Sequence, residues 1–242
     1  MNWKKNTIIF ITSQALSFFG SMLVQYAITW HITLKTQSGV MMAISIICGF
    51  LPTLFISPFA GVWADRYSKK KLIIFADSMI AVATLILAIL FLTGFDSVWL
   101  LFAASAIRSL GGGIQTPAVG AFLPQIVPED KLTRVNGINS SIQSLVILLS
   151  PILSGALLTV ATIDSIFFVD VITAAIAVFI LLLFLKEPYC CKGPKGEGSS
   201  YFTDMMEGVK YIKSHAFLLL FFVFCAIYFI LVAPLAFLTP LQ

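Results

Sequence analysis

Charged residues are scarce in this sequence. Only 11% of its 242 residues are Asp, Glu, Lys or Arg, whereas a soluble domain has about 25%. Hydrophobic residues make up 59%, and the mean hydropathy is +1.00. Segments 36–64 and 78–95 contain no charge, and each can cross a bilayer as a helix, which takes roughly 20 apolar residues. The composition therefore predicts a polytopic membrane protein.

The sequence also lacks the motifs of an enzyme or a metal site. It has no HExxH, no P-loop and only two histidines. Of its four cysteines, Cys48 and Cys225 lie in apolar runs, and Cys190 and Cys191 are adjacent, which is not the spacing of a zinc site. We therefore predict no enzymatic activity, no cofactor and no metal, and reduced cysteines without a role.

The densest charge lies in segment 61–73, GVWADRYSKKKLI, between the two uncharged segments. This pattern predicts a tight cytoplasmic turn between two membrane helices. Gly61 is expected to permit close helix approach, and Asp65 to lie near the amino end of the following helix, where the helix dipole favours a carboxylate.

Charges and turn-forming residues divide the chain into seven predicted spans of an all-α polytopic fold. The spans are residues 7–33, 39–62, 71–93, 97–118, 136–160, 165–185 and 215–238. The amino terminus starts like a signal peptide, but its uncharged run continues to Leu34, so we predict an uncleaved first span.

Basic residues place the amino terminus in the cytoplasm of a multi-pass protein of the cell membrane. Thirteen of the 15 Lys and Arg residues fall on one side, Lys35 lies opposite and Arg108 lies inside a span. Because these bases flank apolar runs in short blocks, we expect the lipid bilayer as a partner and no nucleic acid. The thirteen are Lys4, Lys5, Arg66, Lys69, Lys70, Lys71, Lys131, Arg134, Lys186, Lys192, Lys195, Lys210 and Lys213.

The loops predict the domain organisation. The three outer loops are very short, so the helices that they join are expected to be neighbours. We predict a six-helix bundle over 1–186, a cytoplasmic loop over 187–214 and a seventh helix over 215–242. Within the loop, helical spacing of apolar residues predicts a short amphipathic helix on the membrane surface. Those residues are Phe202, Met205, Met206, Val209 and Ile212.

The basic turn resembles the loop between helices two and three of the major facilitator superfamily, with Ser68 where glycine is usual. The matching residues are Gly61, Ala64, Asp65, Arg66, Lys69, Lys70 and Ile73. Arg108 with Gly111 and Gly113 is similar to the family's fourth helix.

Further residues are similar to bacterial macrolide-efflux transporters. In order they are Arg108, Gln115, Thr116, Pro117, Pro128, Glu129, Leu132, Thr133, Gln143 and Pro151. The glycine and proline motif of the antiporter branch is matched more weakly, because serine replaces two glycines among Ser150, Pro151, Ser154 and Gly155. The resemblance covers the whole chain and implies twelve helices for a complete member, so we expect the seventh helix to be the start of a truncated second bundle.

The resemblance implies that the charges of the turn act as a conformational latch that holds the two halves together in one access state. The expected latch residues are Gly61, Asp65, Arg66, Lys69, Lys70 and Asp77. Asp77 lies one to two turns from Lys70 and Lys71, and we expect an ion pair there more than a proton site.

Two further charges lie within spans, where each costs roughly 2.5–3.5 kcal/mol and needs a reason. Arg108 is interpreted either as a cavity cation that binds substrate or couples protons, or as a residue paired within the bundle. Asp170 is either a titrating carboxyl group or an ordinary helix-start carboxylate.

Polar residues of the first span recur on one helical face and are predicted to line a translocation path more than to serve helix packing. They are Gln14, Ser17, Ser21, Gln25 and Thr29. His31, near the outer end, is expected to be an interfacial residue more than a proton relay. Pro117 is expected to loosen the end of the fourth span, and Gly111, Gly113, Ser150, Pro151 and Gly155 are predicted packing residues.

Two functions remain open. The leading hypothesis is a proton-coupled exporter of small amphipathic compounds, such as macrolide-type antibiotics, that works by alternating access. The alternative is a truncated fragment without independent transport that acts only as a membrane partner of another half.

Overall fold

The computed structural model describes residues 3–185 together with 206, 210, 212, 214–215, 217–225 and 227–228. The chain divides into two compact units, Met1–Pro194 and Lys195–Gln242. The described residues of the first unit form six helices and no strand. They are α1 (Trp3–Thr36), α2 (Gly39–Arg66), α3 (Lys69–Leu92), α4 (Val98–Ile126), α5 (Glu129–Val160) and α6 (Ile163–Phe184).

The second unit is described in part. Of the predicted surface helix, Met206 and Ile212 are helical, and its other three apolar residues lie outside the described residues. Within the predicted seventh span, residues 217–225 and 227–228 are helical. Cys48 in the first unit and Cys225 in the second are free thiols, and the Cys190–Cys191 pair lies outside the described residues.

The predicted all-α polytopic membrane fold is confirmed. Five helices, α1, α2, α3, α5 and α6, are long and apolar enough to cross a membrane. The fourth, α4, has 29 residues and is long enough, but it carries Arg108 and three consecutive glycines, and its most apolar stretch is less apolar than those of the other five. Large apolar side chains cover the outside of the bundle, as lipid contact requires, for example Leu54 at 68% exposed and Leu148 at 63%.

Two predicted boundaries were wrong. The fourth span was expected to end near residue 118, but α4 continues through Pro117 and Pro124 to Ile126. Proline is tolerated inside membrane helices because neighbouring groups satisfy the freed backbone. The fifth span was expected to start at 136, but α5 begins at Glu129, after Pro128, with carboxylates in its first turn.

The basic turn is shorter than predicted, because α2 ends at Arg66 and α3 begins at Lys69. Ser68 caps α3 by accepting a hydrogen bond from the backbone N–H of Lys71 at 3.2 Å. Asp65 is exposed in the last turn of α2, so its predicted place at the amino end of α3 was wrong.

The helices pack in a pattern that chain order does not give. The main pairs are α2 with α4, α1 with α5 and α6, and α3 with α4 and α6. Exchanging α1 with α4, α2 with α5 and α3 with α6 reproduces the same set of pairs. This symmetry is what two repeats of three helices produce.

The expectation that short outer loops join neighbouring helices holds only for α3 and α4. The helices α1 and α2 touch over a small area, and α5 and α6 scarcely touch. A short loop fixes only the distance between two helix ends, so the rest of each helix can diverge toward other partners.

The core has three layers along the helix axes. One apolar layer, the Phe167 layer, joins Leu23, Ile28, Leu101, Phe102 and Phe167 with their neighbours. A second, the Phe122 layer, joins Phe10, Ile73, Phe122, Leu181 and Leu185 with theirs. On α1, α3, α4 and α6, buried polar side chains lie between the Phe167 layer and the Phe122 layer and form a polar layer. They are Gln14, Ser17, Asp77, Thr84, Ser105, Arg108, Ser109 and Asp170.

Lys70 of the basic turn closes the end of α6. Its Nζ donates to the backbone oxygen of Leu185 at 2.6 Å and, at 3.4 Å, to that of Leu182. Unpaired carbonyl groups and the negative end of the helix dipole both favour a cation there. The basic turn and the end of α6 are thereby joined.

At Gly111, α4 approaches α3 closely. A Cβ atom there would lie 2.5 Å from Ile80 Cγ1 and 3.3 Å from the backbone oxygen of Ala76. Ile80 is β-branched and buried, so it has few other rotamers. At neighbouring Gly112, an added Cβ meets nothing within 4 Å.

We predict that Gly111→Ala destabilises the protein by about 1–3 kcal/mol through overpacking. Gly112→Ala is the matched control, and it should be neutral or slightly stabilising because alanine favours a helix. The unfolding midpoint of each variant in detergent measures the difference. Equal midpoints for the two variants would contradict the close packing described here.

Candidate functional site

An ion pair between Arg108 and Asp170 occupies the centre of the polar layer. Arg108 is 5% exposed and Asp170 is 0% exposed. Arg108 Nη1 donates to Asp170 Oδ2 and to Thr84 Oγ1, and its Nη2 donates to the backbone oxygen of Ser21 at 2.9 Å. Ser21 Oγ and Thr84 Oγ1 donate to the carboxylate at 3.2 and 2.9 Å. The pair thus links α1, α3, α4 and α6.

This geometry bears on the two interpretations of Arg108. The guanidinium is paired within the bundle, and it also lies in the polar layer. Asp170, in the second turn of α6, is fully enclosed and not an ordinary exposed helix-start carboxylate. Neither charge is left alone in the apolar interior, which is the arrangement that an intramembrane charge requires.

Asp77 lies in the same layer without a cation. It is 1% exposed, and its Oδ1 accepts hydrogen bonds from Ser17 Oγ at 2.6 Å and Gln115 Nε2 at 2.7 Å. Its Oδ2 is buried and has no hydrogen-bond partner. The expected ion pair with Lys70 or Lys71 was wrong, because helix geometry turns Asp77 inward while Lys70 reaches the end of α6.

A cleft of about 100 Å³ lies beside Asp77, between α1, α4 and α5. Gln115 borders it and donates to both Asp77 Oδ1 and, at 3.3 Å, Gln14 Oε1. The Nε2 group of Gln14 is buried without a partner. The walls therefore offer amides that can donate and accept hydrogen bonds, together with an aromatic ring. The lining residues are Gln14, Ala15, Phe18, Gln115, Thr116, Val119, Asn139, Ile142 and Gln143.

The predicted polar stripe of α1 is divided among several environments. Gln14 lines the cleft, whereas Ser17 and Ser21 form hydrogen bonds with Asp77 and Asp170 on other helices. Gln25 is half-buried near Gly49 of α2, where an added Cβ would lie 3.2 Å from its Nε2.

The predicted packing residues differ in their surroundings. Gly111 and Gly113 face close neighbours on α3 and α2, whereas an added Cβ would meet nothing within 4 Å at Gly155 or at Gly61. The prediction of close helix approach at Gly61 was therefore wrong among the described residues. Pro151 lies inside α5 beside buried Ser150, whose hydroxyl has no hydrogen-bond partner in the described part of the chain.

Sequence reasoning missed two contributors. Thr84 was not singled out, although it follows Asp77 by two helical turns on the same face. Thr53 was also missed: its Oγ1 donates to the backbone oxygen of Ser109 at 2.7 Å and fastens α2 to α4. The signal for Thr53 was its place beside Pro52, which leaves backbone groups in need of partners.

A second charged group closes the opposite end of the bundle from the basic turn. Lys35, at the end of α1, donates to the Asp96 carboxylate and, at 3.2 Å, to its backbone oxygen. His31 Nε2 lies 3.7 Å from Asp96 Oδ1. The hydrogen bond from Lys35 holds the pKa of Asp96 below its usual value, so the bridge stays charged into acidic solution. His31 is half-buried against it, beside the ring of Phe91.

The fold and the polar layer define a multi-pass α-helical membrane protein with charged and amide groups in its interior. The family model of the Major Facilitator Superfamily matches residues 10–242. The chain belongs to this superfamily, as the basic turn and the fourth helix indicated.

Three relatives illustrate the similarity. The chain is 31% identical over 240 residues to macrolide efflux protein A of Streptococcus pyogenes, and the aligned region covers 99% of this chain and 59% of that protein. It is 31% identical over 204 residues to macrolide efflux protein A of Enterococcus faecalis, covering 84% and 62%. It is 25% identical over 198 residues to multidrug resistance protein MdtG of Escherichia coli, covering 78% and 46%. The chain thus spans less than two thirds of each relative's length.

We predict that Arg108→Met destabilises the bundle by about 3–5 kcal/mol, because Asp170 is left as an unpaired buried charge. The double variant Arg108→Met/Asp170→Asn removes both charges and should recover most of this loss. Denaturation in detergent measures both effects.

Lys131→Met, which breaks the exposed Lys131–Asp130 pair at 3.0 Å, is the control and should change stability little. A single Arg108→Met variant as stable as the wild type would contradict the central role of the buried pair.

Proposed function

We propose that the protein exports small amphipathic compounds across the cell membrane and that proton movement drives the export. Family membership and the similarity to two macrolide efflux proteins and a multidrug resistance protein support export. The observation that carries the proposal within this chain is the buried charged layer beside an amide-lined cleft. The activity is transport and not covalent catalysis.

The cleft between α1, α4 and α5 is proposed as part of the substrate path. Gln14 and Gln115 present amide groups to it, and Phe18 and Ile142 present apolar surface. An amphipathic molecule needs both kinds of contact, because its polar groups must be satisfied once they leave water. Arg108 and Asp170 are assigned to the same layer as a fixed charged pair and do not line the cleft.

Alternating access is the proposed cycle. The polar layer lies between the Phe122 and Phe167 layers, so each apolar layer is suited to close one route to it. Opening one layer while the other stays closed would expose the polar layer to one side at a time.

The basic turn is proposed as the latch of this cycle, on the cytoplasmic side that the positive charges favour. The exposed end of α2 carries Asp65 and Arg66, and α3 begins with Lys69 and Lys70. The Asp65 carboxylate is exposed beside the tight turn, so it can pair with another part of the protein in one state and separate from it in the other. Lys70 also holds the end of α6, so the turn moves together with that helix.

Efflux from cells tests the proposed transport. Cells that produce the protein should accumulate less of a labelled macrolide than cells without it, and a proton ionophore should abolish the difference. Arg108→Met, in the charged layer, should lose export, whereas Lys131→Met should keep it. Unchanged macrolide accumulation in producing cells would refute macrolide export, and export that persists with the ionophore would refute proton coupling.

Asp65→Asn tests the latch. The substitution removes one charge from an exposed side chain, so the fold and membrane insertion should be normal while export falls strongly. Asp130→Asn is the matched control, because Asp130 is also an exposed aspartate but lies in the first turn of α5; this variant should export normally. Export by Asp65→Asn at the wild-type rate, with equal amounts of protein in the membrane, would rule out a latch at this residue.

A further inference from the structure

The polar layer contains two buried carboxyl groups in very different surroundings. Asp170 has Arg108, Ser21 and Thr84 as partners, which satisfy both of its oxygens. Asp77 has two neutral donors on Oδ1 and nothing on Oδ2. An ion pair stabilises the charged form of a carboxyl group, whereas burial without a cation penalises that form.

In the part of the chain that the structure describes, the helices packed against Asp77 place no free cation beside it. The helix α1 contributes Ser17 and Gln14, which are uncharged, and α2 has no charged residue before its last turn. The helix α4 contributes Gln115 and Arg108, and Arg108 is committed to Asp170 of α6. The remaining charge near Asp77 is thus the carboxylate of Asp170, which repels a second negative charge.

Asp77 also lies close to the cleft between α1, α4 and α5. Gln115, its donor, lines the cleft between α1, α4 and α5, and Gln14 on the same wall is bonded to Gln115. The carboxyl group is therefore separated from the cleft by the width of one side chain. Asp170, in contrast, forms its hydrogen bonds with Ser21, Thr84 and Arg108, none of which lines the cleft.

From this juxtaposition we propose that Asp77 is the carboxyl group that binds and releases the coupling proton, while Asp170 stays paired with Arg108. Uptake forms an O–H bond at the unpartnered Oδ2 and makes the side chain neutral. Release returns that proton to water and restores the carboxylate. This assignment rests on the proposed proton coupling, but it concerns a group whose protonation can be measured without transport.

Infrared spectroscopy of the full 242-residue chain in lipid vesicles tests the assignment directly. The carbonyl stretch of a protonated carboxyl group lies apart from the amide bands and shifts in heavy water. In the wild type, one such band should be present while the buffer is still above the pH range in which exposed carboxyl groups titrate, and it should disappear in alkaline buffer. The band should be absent from Asp77→Asn and unchanged in the exposed control Asp130→Asn.

Asp77→Glu keeps the experiment decisive if Asp77→Asn fails to fold. Its longer side chain alters the hydrogen bonds of the carboxyl group, so the band should shift in frequency and still respond to pH. A band that persists unshifted in the Asp77 variants would overturn the assignment, and so would the lack, in the wild type, of any carboxyl band that titrates above the range of the exposed carboxyl groups.

Transport separates this inference from the proposed function. With a proton gradient, Asp77→Asn should lose uphill efflux but retain exchange of labelled for unlabelled substrate, which needs no net proton movement. If the Asp77 band titrates but the protein does not export macrolides, Asp77 still binds a proton and the proposed function is refuted. If proton-driven efflux survives in Asp77→Asn, the proposed function is supported and the assignment of Asp77 is refuted.

Discussion

The buried pair of Arg108 and Asp170 is the interaction on which the rest of the bundle depends. A lone charge inside a membrane helix costs roughly 2.5–3.5 kcal/mol, so each group is tolerated only while the other is in place. With Ser21 and Thr84, the pair ties α1, α3, α4 and α6 together at mid-height. These are the four helices that the packing symmetry relates to one another, α1 to α4 and α3 to α6. The apolar layers above and below exclude water from the pair, and the pair fixes the register in which those layers meet.

Much of the fold could be predicted from the sequence, because membrane insertion is governed by local hydrophobicity and local charge. The six helices occur where uncharged runs predicted them, and the α2–α3 turn lies inside the basic segment. Helix ends were harder, because charges were treated as boundaries. The helix α5 begins at Glu129 and carries four charged residues in its first two turns, and α4 passes through two prolines. Lateral order was out of reach, since short loops do not make α1 and α2, or α5 and α6, close neighbours.

The candidate site was predictable in its parts and not in its pairing. Arg108, Asp170 and the polar stripe of α1 stood out, because polar groups in apolar spans need a reason. Their partners lie 62 and 149 positions apart in the sequence, and no local pattern joins residues at that range. Asp77 shows the opposite error: Lys70 and Lys71 are near in sequence, but the helix turns the carboxyl group inward and Lys70 toward α6. Thr84 and Gln115 acquire their importance only when the helices meet.

The packing symmetry has a consequence for how the protein is made. Helices leave the ribosome in chain order, yet α1 finds its main partners in α5 and α6, and α2 finds its partner in α4. The first three helices therefore enter the membrane before these partners do, and Asp77 has only Ser17 and Gln14 of α1 beside it until α4 supplies Gln115. Only the arrival of α6 supplies Asp170. Assembly of this bundle is thus a late event in synthesis, completed when its last helix enters the bilayer.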